Sequence, residues 1–206
     1  MAVQKGAVRT IDWSGLPTAF HQRIDGIAEF ISPYAMVMSG PNMVLYDLKR
    51  GTSSKPMALR DSIANWPATW KQVSDIVEYD DSTNLIFSDG GYLWFDLPST
   101  SVSEVTPFEG FPVEWKGTVD AAVRWDGDHI WFIKGTMYID WQLSDDTMSE
   151  EDDLRLWPDW PEPWVSVDGA CQIDGILYLF RGSEQLAYDI QAQRFLPGFP
   201  RAIASR

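Results

Sequence analysis

The 206 residues carry 30 acidic and 16 basic side chains, a formal net charge of −14, and an aromatic load of 11 Trp, 10 Phe and 7 Tyr. That balance repels nucleic acid phosphates and anionic membranes, and no stripe of Lys and Arg offsets it. No run of about 18 apolar residues occurs, so the sequence offers no membrane-spanning helix.

The chain opens on Met1-Ala2-Val3-Gln4-Lys5-Gly6-Ala7, without the long apolar core of a signal peptide. If the numbering begins at the natural start, we expect a cytoplasmic protein or one released by an unconventional route. Residues 1–22 include Ile11-Asp12-Trp13-Ser14-Gly15-Leu16-Pro17. They read either as a non-covalent clasp beside the first or last repeat or as a loose tail.

Four units follow. Their opening segments are Ile24-Asp25-Gly26-Ile27, Ser74-Asp75-Ile76-Val77, Val119-Asp120-Ala121-Ala122 and Val167-Asp168-Gly169-Ala170, with aspartates 50, 45 and 48 residues apart. A period of this length marks a solenoid, a propeller or an array. Each opening leads into an apolar run: Met36-Val37-Met38, Leu85-Ile86-Phe87, Ile130-Trp131-Phe132-Ile133 and Leu177-Tyr178-Leu179-Phe180. A turn comes next, Ser39-Gly40, Asp89-Gly90-Gly91, Lys134-Gly135 or Arg181-Gly182, and then an aromatic run such as Met137-Tyr138-Ile139-Asp140-Trp141. Short apolar runs bounded by Gly, Asp and Asn read as strands joined by hairpins. Three strands per unit make one blade of a sheet, and four blades use up the chain. We place them at residues 23–70, 71–116, 117–165 and 166–206 of a single domain.

Between blades the pattern is irregular. Residues 57–66 read as a short helix after the loop Arg50-Gly51-Thr52-Ser53-Ser54-Lys55-Pro56. Pro98, Pro107, Gly110 and Pro112 break up residues 98–115. Asp145, Asp146, Glu150, Glu151, Asp152 and Asp153 precede Leu154-Arg155-Leu156, where Thr147 or Ser149 would cap a helix with acids in its first turn. Such a run reads as a solvated helix start or as an acidic binding patch.

The Asp-Ala-Ala opening and the Trp-Phe-Ile-Lys-Gly hairpin of unit three resemble the hemopexin repeat. So do the closing pairs Trp66-Pro67, Phe111-Pro112, Trp157-Pro158, Trp160-Pro161 and Phe199-Pro200. The resemblance covers residues 23–203. It implies an all-β, four-bladed hemopexin-like propeller with short helices between blades, similar in organisation to the single-domain seed albumins of legumes. Animal members of that family close the ring with a disulfide. Cys171 is the only cysteine here, so closure must be non-covalent, and Cys171 itself is expected to be a small buried apolar residue.

Catalytic signatures are missing. No G-x-S-x-G, P-loop, H-E-x-x-H or C-x-x-C occurs, and the two histidines, His21 and His129, have no metal-ligand spacing. Asp126 and Asp128 flank the turn before His129 and read as turn residues that cap their own backbone. A non-enzymatic protein is expected, and the resemblance implies a ligand-binding or storage albumin. The resemblance implies a polyamine or haem as small-molecule ligand, and in some members haemagglutination, so the alternative is a lectin or other surface-recognition module. His129 is the default haem ligand, although one domain with two histidines argues against iron ligation. The lectin alternative rests on Trp157, Trp160 and Trp164, spaced by Pro158, Pro161 and Pro163 and accompanied by Asp159 and Glu162. Indoles offer stacking faces for sugars, yet the same residue types plug blade junctions.

The resemblance also implies ions on the propeller axis. Four first strands converge there, so small residues are expected, and Gly26, Ala28, Ala121, Ala122, Gly169 and Ala170 comply. The family holds calcium or sodium on the backbone carbonyl of the repeat aspartate and of the residue two further on. Those positions read here as Asp25, Asp75, Asp120 and Asp168, with Ile27, Val77, Ala122 and Ala170. Oxygen ligands suit a hard cation, and the intervening amides suit an anion such as chloride. Water filling the channel is the alternative.

Overall fold

The structure, a computed structural model, describes residues 10–88, 90–115 and 117–204. Each unit's runs fold into one antiparallel sheet. In blade one Gly26–Ile31 pairs with Tyr34–Ser39, which pairs with Asn42–Asp47. Blade two repeats this with Asp75–Asp80, Thr83–Ser88 and Gly91–Asp96. Blade three uses Ala121–Arg124, His129–Lys134 and Met137–Gln142. Blade four uses Gly169–Ile173, Ile176–Arg181 and Glu184–Asp189. Short outer strands such as Thr52–Ser53 and Met57–Ala58 extend the third strand.

The first strands of blades one and two, two and three, three and four, and four and one adjoin. The ring is therefore closed, and the protein is a four-bladed β-propeller. Closure explains why the second strands are apolar on both faces. Ala35, Met36, Val37 and Met38 are all buried, as are Leu85–Phe87, Ile130–Ile133 and Leu177–Phe180, because each blade is covered by a neighbour on either side.

Each junction is filled by its own apolar cluster and plugged by the same turn, a proline followed three residues later by an aromatic. The amide of Trp70 donates to the carbonyl of Pro67, Trp115 to Pro112, and Trp164 to Pro161, and these residues sit between blades one and two, two and three, and three and four. At the fourth junction the turn comes from the N-terminal segment. Phe20 donates to Pro17 at 2.8 Å and packs with Trp13 and Leu16 between blades four and one. Trp13 is fully buried against Tyr46, Tyr178 and Phe180 at centroid distances of 5.2, 5.9 and 6.0 Å. Backbone contacts tie the segment to both blades. The Tyr46 hydroxyl donates to the Asp12 carbonyl, Ser53 Oγ to Gly15 O at 2.9 Å, and the Ile11 amide to Tyr178 Oη at 2.9 Å. Of the segment expected as a clasp, residues 1–9 lie outside the described residues.

Two local expectations change. Over residues 57–66, only Leu59–Ser62 is helical; Met57–Ala58 instead pairs with the third strand, and Ala64 bridges to Ser101 of the next blade. Sheet pairing there satisfies backbone groups that a longer helix would have to satisfy internally. In the acidic stretch, Thr147–Met148 and Asp152–Asp153 are short strands, and Asp153, not Thr147 or Ser149, caps the single helical turn Leu154–Leu156 by accepting from the Arg155 amide.

Candidate functional site

Backbone hydrogen bonds fix which residues are equivalent from blade to blade. The amide of Asp25 donates to Met38 O, Asp120 to Ile133 O, and Asp168 to Phe180 O; in blade two the donor to Phe87 O is Ser74. Strand register agrees, pairing Gly26 with Met38, Ala121 with Ile133, Gly169 with Phe180, and Asp75 with Phe87. Blade two is therefore read one residue out by its aspartate. Ser74 holds the repeat-aspartate position, Ile76 is the counterpart of Ile27, Ala122 and Ala170, and Val77 moves to the position of Ala28, Val123 and Cys171.

That shift separates the four aspartates into two roles. Asp25, Asp120 and Asp168 turn outward and accept from the turn amides of Gly40, Gly135 and Gly182, the latter two at 2.7 Å. Ser74 is too short for this, and its hydroxyl has no partner among the described residues. Asp89, in the matching turn, lies outside them. Asp75 stands where the other blades have Gly, Ala and Gly, and is fully buried on the axis. Its Oδ1 accepts from its own neighbour Ile76 at 2.6 Å and its Oδ2 from Ala122 of blade three at 2.6 Å, while the Ala170 amide of blade four faces the same carboxylate. Burial pushes the carboxyl well above the usual range, and the amides of Ala122, Ile76 and Ala170 pull it back toward the ionised form.

The small axial residues are required by close approach. A Cβ on Gly26 would lie 2.3 Å from Asp75 Oδ1, and one on Gly169 would lie 2.6 Å from Ile24 O and 2.8 Å from Asp25 O. Among the described residues no cluster of three or more His, Cys, Asp or Glu side chains is arranged to hold a metal. The donors available to an axial cation are thus backbone carbonyls. Oxygen donors suit a hard ion, and a cation there would favour the ionised form of the buried Asp75 carboxyl, which has no salt-bridge partner among the described residues.

Where the first strands end, a cavity of about 410 Å³ opens between blades one and two, lined by Glu29, Glu78, Asp80, Asp81, Asn84 and Arg124 among others. Glu78 is half-buried, and that partial burial raises its pKa; its Oε1 accepts from the Glu29 amide at 2.6 Å. Asp80 is held on the ionised side by the amide and hydroxyl of Ser82. Arg124 spends its guanidinium on three carbonyls, those of Tyr79, Asp126 and Gly127, rather than on a carboxylate. Asn84 is fully buried, and neither its amide nitrogen nor its oxygen has a partner among the described residues. A buried, unsatisfied carboxamide is costly unless a ligand or water completes it.

The residues singled out from sequence lie elsewhere. Trp164 is buried, Trp160 donates from Nε1 to Trp164 O at 2.8 Å, and Trp157 packs on Tyr188 at 4.5 Å and on Trp131 at 5.9 Å. Trp66 repeats the Trp160 contact toward Trp70. These indoles fill a junction. His129 begins the second strand of blade three, with Nδ1 2.9 Å from Asp140 Oδ2. An aromatic cleft of about 450 Å³ does exist between blades two and three, lined by Tyr92, Phe111 and Trp141 with Glu109 and Asp146.

A ring of four such sheets, plugged at each junction and converging on small axial residues, is matched among solved structures. The hemopexin fold protein CP4 from cow pea superposes with a TM-score of 0.72 over 87% of this chain and 93% of that one, at 16% identity. The chain has the hemopexin fold. A plant albumin from Cicer arietinum showing hemagglutination matches at TM-score 0.69 and 16% identity, covering 85% of this chain and 88% of that one. A plant lectin with two metal binding sites from Cicer arietinum matches at 0.67 and 16%, covering 89% and 92%. No protein-family model matches the sequence, and no curated protein does. Within the hemopexin fold this chain closes by packing: Cys171, its only cysteine, is buried on the first strand of blade four, and burial raises its thiol far above the ordinary range. A thiol so held is a poor nucleophile.

Proposed function

We propose that the protein is a non-catalytic, albumin-like binding protein whose ligand is a polyamine-class cation seated in the cavity between blades one and two. The observation that carries this reading is the Asn84 carboxamide, buried and unpartnered among the described residues, in a cavity with four carboxyl groups against one guanidinium. A protonated amine supplies what the cavity lacks: charge for Glu78, Asp80 and Asp81, and a donor for the Asn84 oxygen once that side chain, sealed from water in the free protein, turns into the cavity. Haem fits less well, since neither His21 nor His129 lines this cavity. An axial calcium or sodium ion would sit on the carbonyls of Asp25, Ser74, Asp120 and Asp168, with Ile27, Ile76, Ala122 and Ala170. Its contribution would be structural, tying blades together and offsetting the charge of Asp75.

The test is a calorimetric titration with spermine. We expect saturable binding that weakens with salt and drops about tenfold or more in Glu78→Gln, the scale of one desolvated charge contact. No heat and no thermal shift at millimolar spermine would overturn the reading.

The glycan alternative is favoured by one observation, the Tyr92–Trp141 cleft, whose Trp141 Nε1 donates to Asp146 at 3.0 Å. Two of the similar folds are described as hemagglutinating or as a lectin. Binding to immobilised glycans that is lost in Trp141→Ala and kept in Glu78→Gln would assign the function to that cleft instead.

A further inference from the structure

The four residues that follow the small axial position, Ile27, Ile76, Ala122 and Ala170, are equivalent by register, and the amides of Ile76, Ala122 and Ala170 converge at the axis. Such a ring of N–H groups is an anion site. In this chain three of the four amides already face one carboxylate, whose two oxygens accept from Ile76 and Ala122 with Ala170 beside them. Both oxygens are thus engaged by N–H donors, which offsets part of the burial that raises this carboxyl and leaves the amides no room for another acceptor.

We propose that Asp75 is the propeller's own axial anion, an in-chain carboxylate that fills the amide ring and excludes halide from solution. The pairing of residues makes this a built feature. Asp75 replaces the Gly or Ala of the other three blades, and on the adjoining first strand of blade one Gly26 leaves the space, since a Cβ there would lie 2.3 Å from Asp75 Oδ1. The register shift in blade two serves the same end: with Ser74 in the repeat-aspartate position, the carboxylate is moved one residue along and therefore inward. Blade two is thereby bonded to blade three through Ala122 and faced by blade four through Ala170, contacts that a free halide would otherwise have to bridge. An axial cation, where bound, would need no co-bound halide.

The experiment uses the full chain, with bromide as probe. Crystals of the natural sequence soaked in sodium bromide should show no axial anomalous peak. Its Tm should not change when gluconate is exchanged for bromide at constant sodium. Asp75→Ala empties the ring, so a bromide peak should appear between the amides of Ile76, Ala122 and Ala170. Its Tm should rise by about 3–6 °C for each tenfold increase in bromide above the dissociation constant, the mass-action shift for a ligand of the folded state in a chain of this size. If Asp75→Ala folds only when halide is present, that dependence supports the assignment equally. An axial bromide in the natural sequence overturns it, whatever the variant does. A folded Asp75→Ala with no axial peak and no bromide dependence also overturns it.

Discussion

Removing the indole of Trp13 should open the ring at the junction of blades four and one. The side chain is fully buried and meets three aromatic rings, two from blade four and one from blade one. A tryptophan buries about 150–250 Å². At about 25 cal/mol per Å² that is about 4–6 kcal/mol, and compactness of the unfolded chain trims it by about 10–40%. About 3–5 kcal/mol remains for Trp13→Ala, the range seen when large aromatics are truncated in cores. The indole N–H is buried without a partner among the described residues, so Trp13→Phe keeps most of the packing and sheds that cost; it should lose under about 1.5 kcal/mol. Urea unfolding followed by circular dichroism measures both, and an unchanged m-value with a lower midpoint would show that stability alone has moved. Val165→Ala, at an exposed position, should stay within about 0.5 kcal/mol of the parent. A Trp13→Ala loss below about 1 kcal/mol would refute non-covalent closure by this segment.

Two further outcomes follow from the same geometry. Gly169→Ala should cost several kcal/mol by thermal or urea unfolding, because the new Cβ meets the backbone carbonyls of Ile24 and Asp25, which cannot move aside as a side-chain tip can; a neutral result would mean that the first strands are not packed this closely at the axis. Alkaline pH should release the closure. Burial pushes Tyr46 and Tyr178 up to about 12 from 10, and raised folded-state values mean that their stabilising effect is complete below pH 10 and lost as pH climbs toward 12. Tm should fall over that window, less steeply in a Tyr46→Phe, Tyr178→Phe double variant, and phenols that all ionise near pH 10 in the folded protein would contradict the burial.

Blade number, strand order and turn positions were legible in the sequence because they rest on repetition: apolar runs, glycine turns and prolines recur about every 48 residues. The blade-two register was not legible from its carboxylate. Asp75 resembles a repeat aspartate, while the signal that places it correctly is apolar: Val73 is buried like Ile24, Val119 and Val167, each two residues before its axial small position or, here, Asp75. Matching those four residues would have revealed Ser74 as the repeat position. The indoles of residues 157–164 were conspicuous in composition, yet a junction consumes aromatic surface just as a sugar site would, and the recurring Trp66/Trp70 contact is what distinguishes the two. The cavity was invisible for another reason. Glu29 and Glu78 are brought together from adjacent blades 49 residues apart, and Asn84, buried beside the apolar run Leu85–Phe87, has no partner among the described residues.

A crystal structure of the chain grown with spermine tests the proposed function most directly. The account predicts an extended ligand in the cavity between blades one and two, with one ammonium within hydrogen-bond distance of both Glu78 and the Asn84 oxygen. Spermine found instead along the exposed acids of residues 145–153, or no ligand density at millimolar concentration, would contradict it.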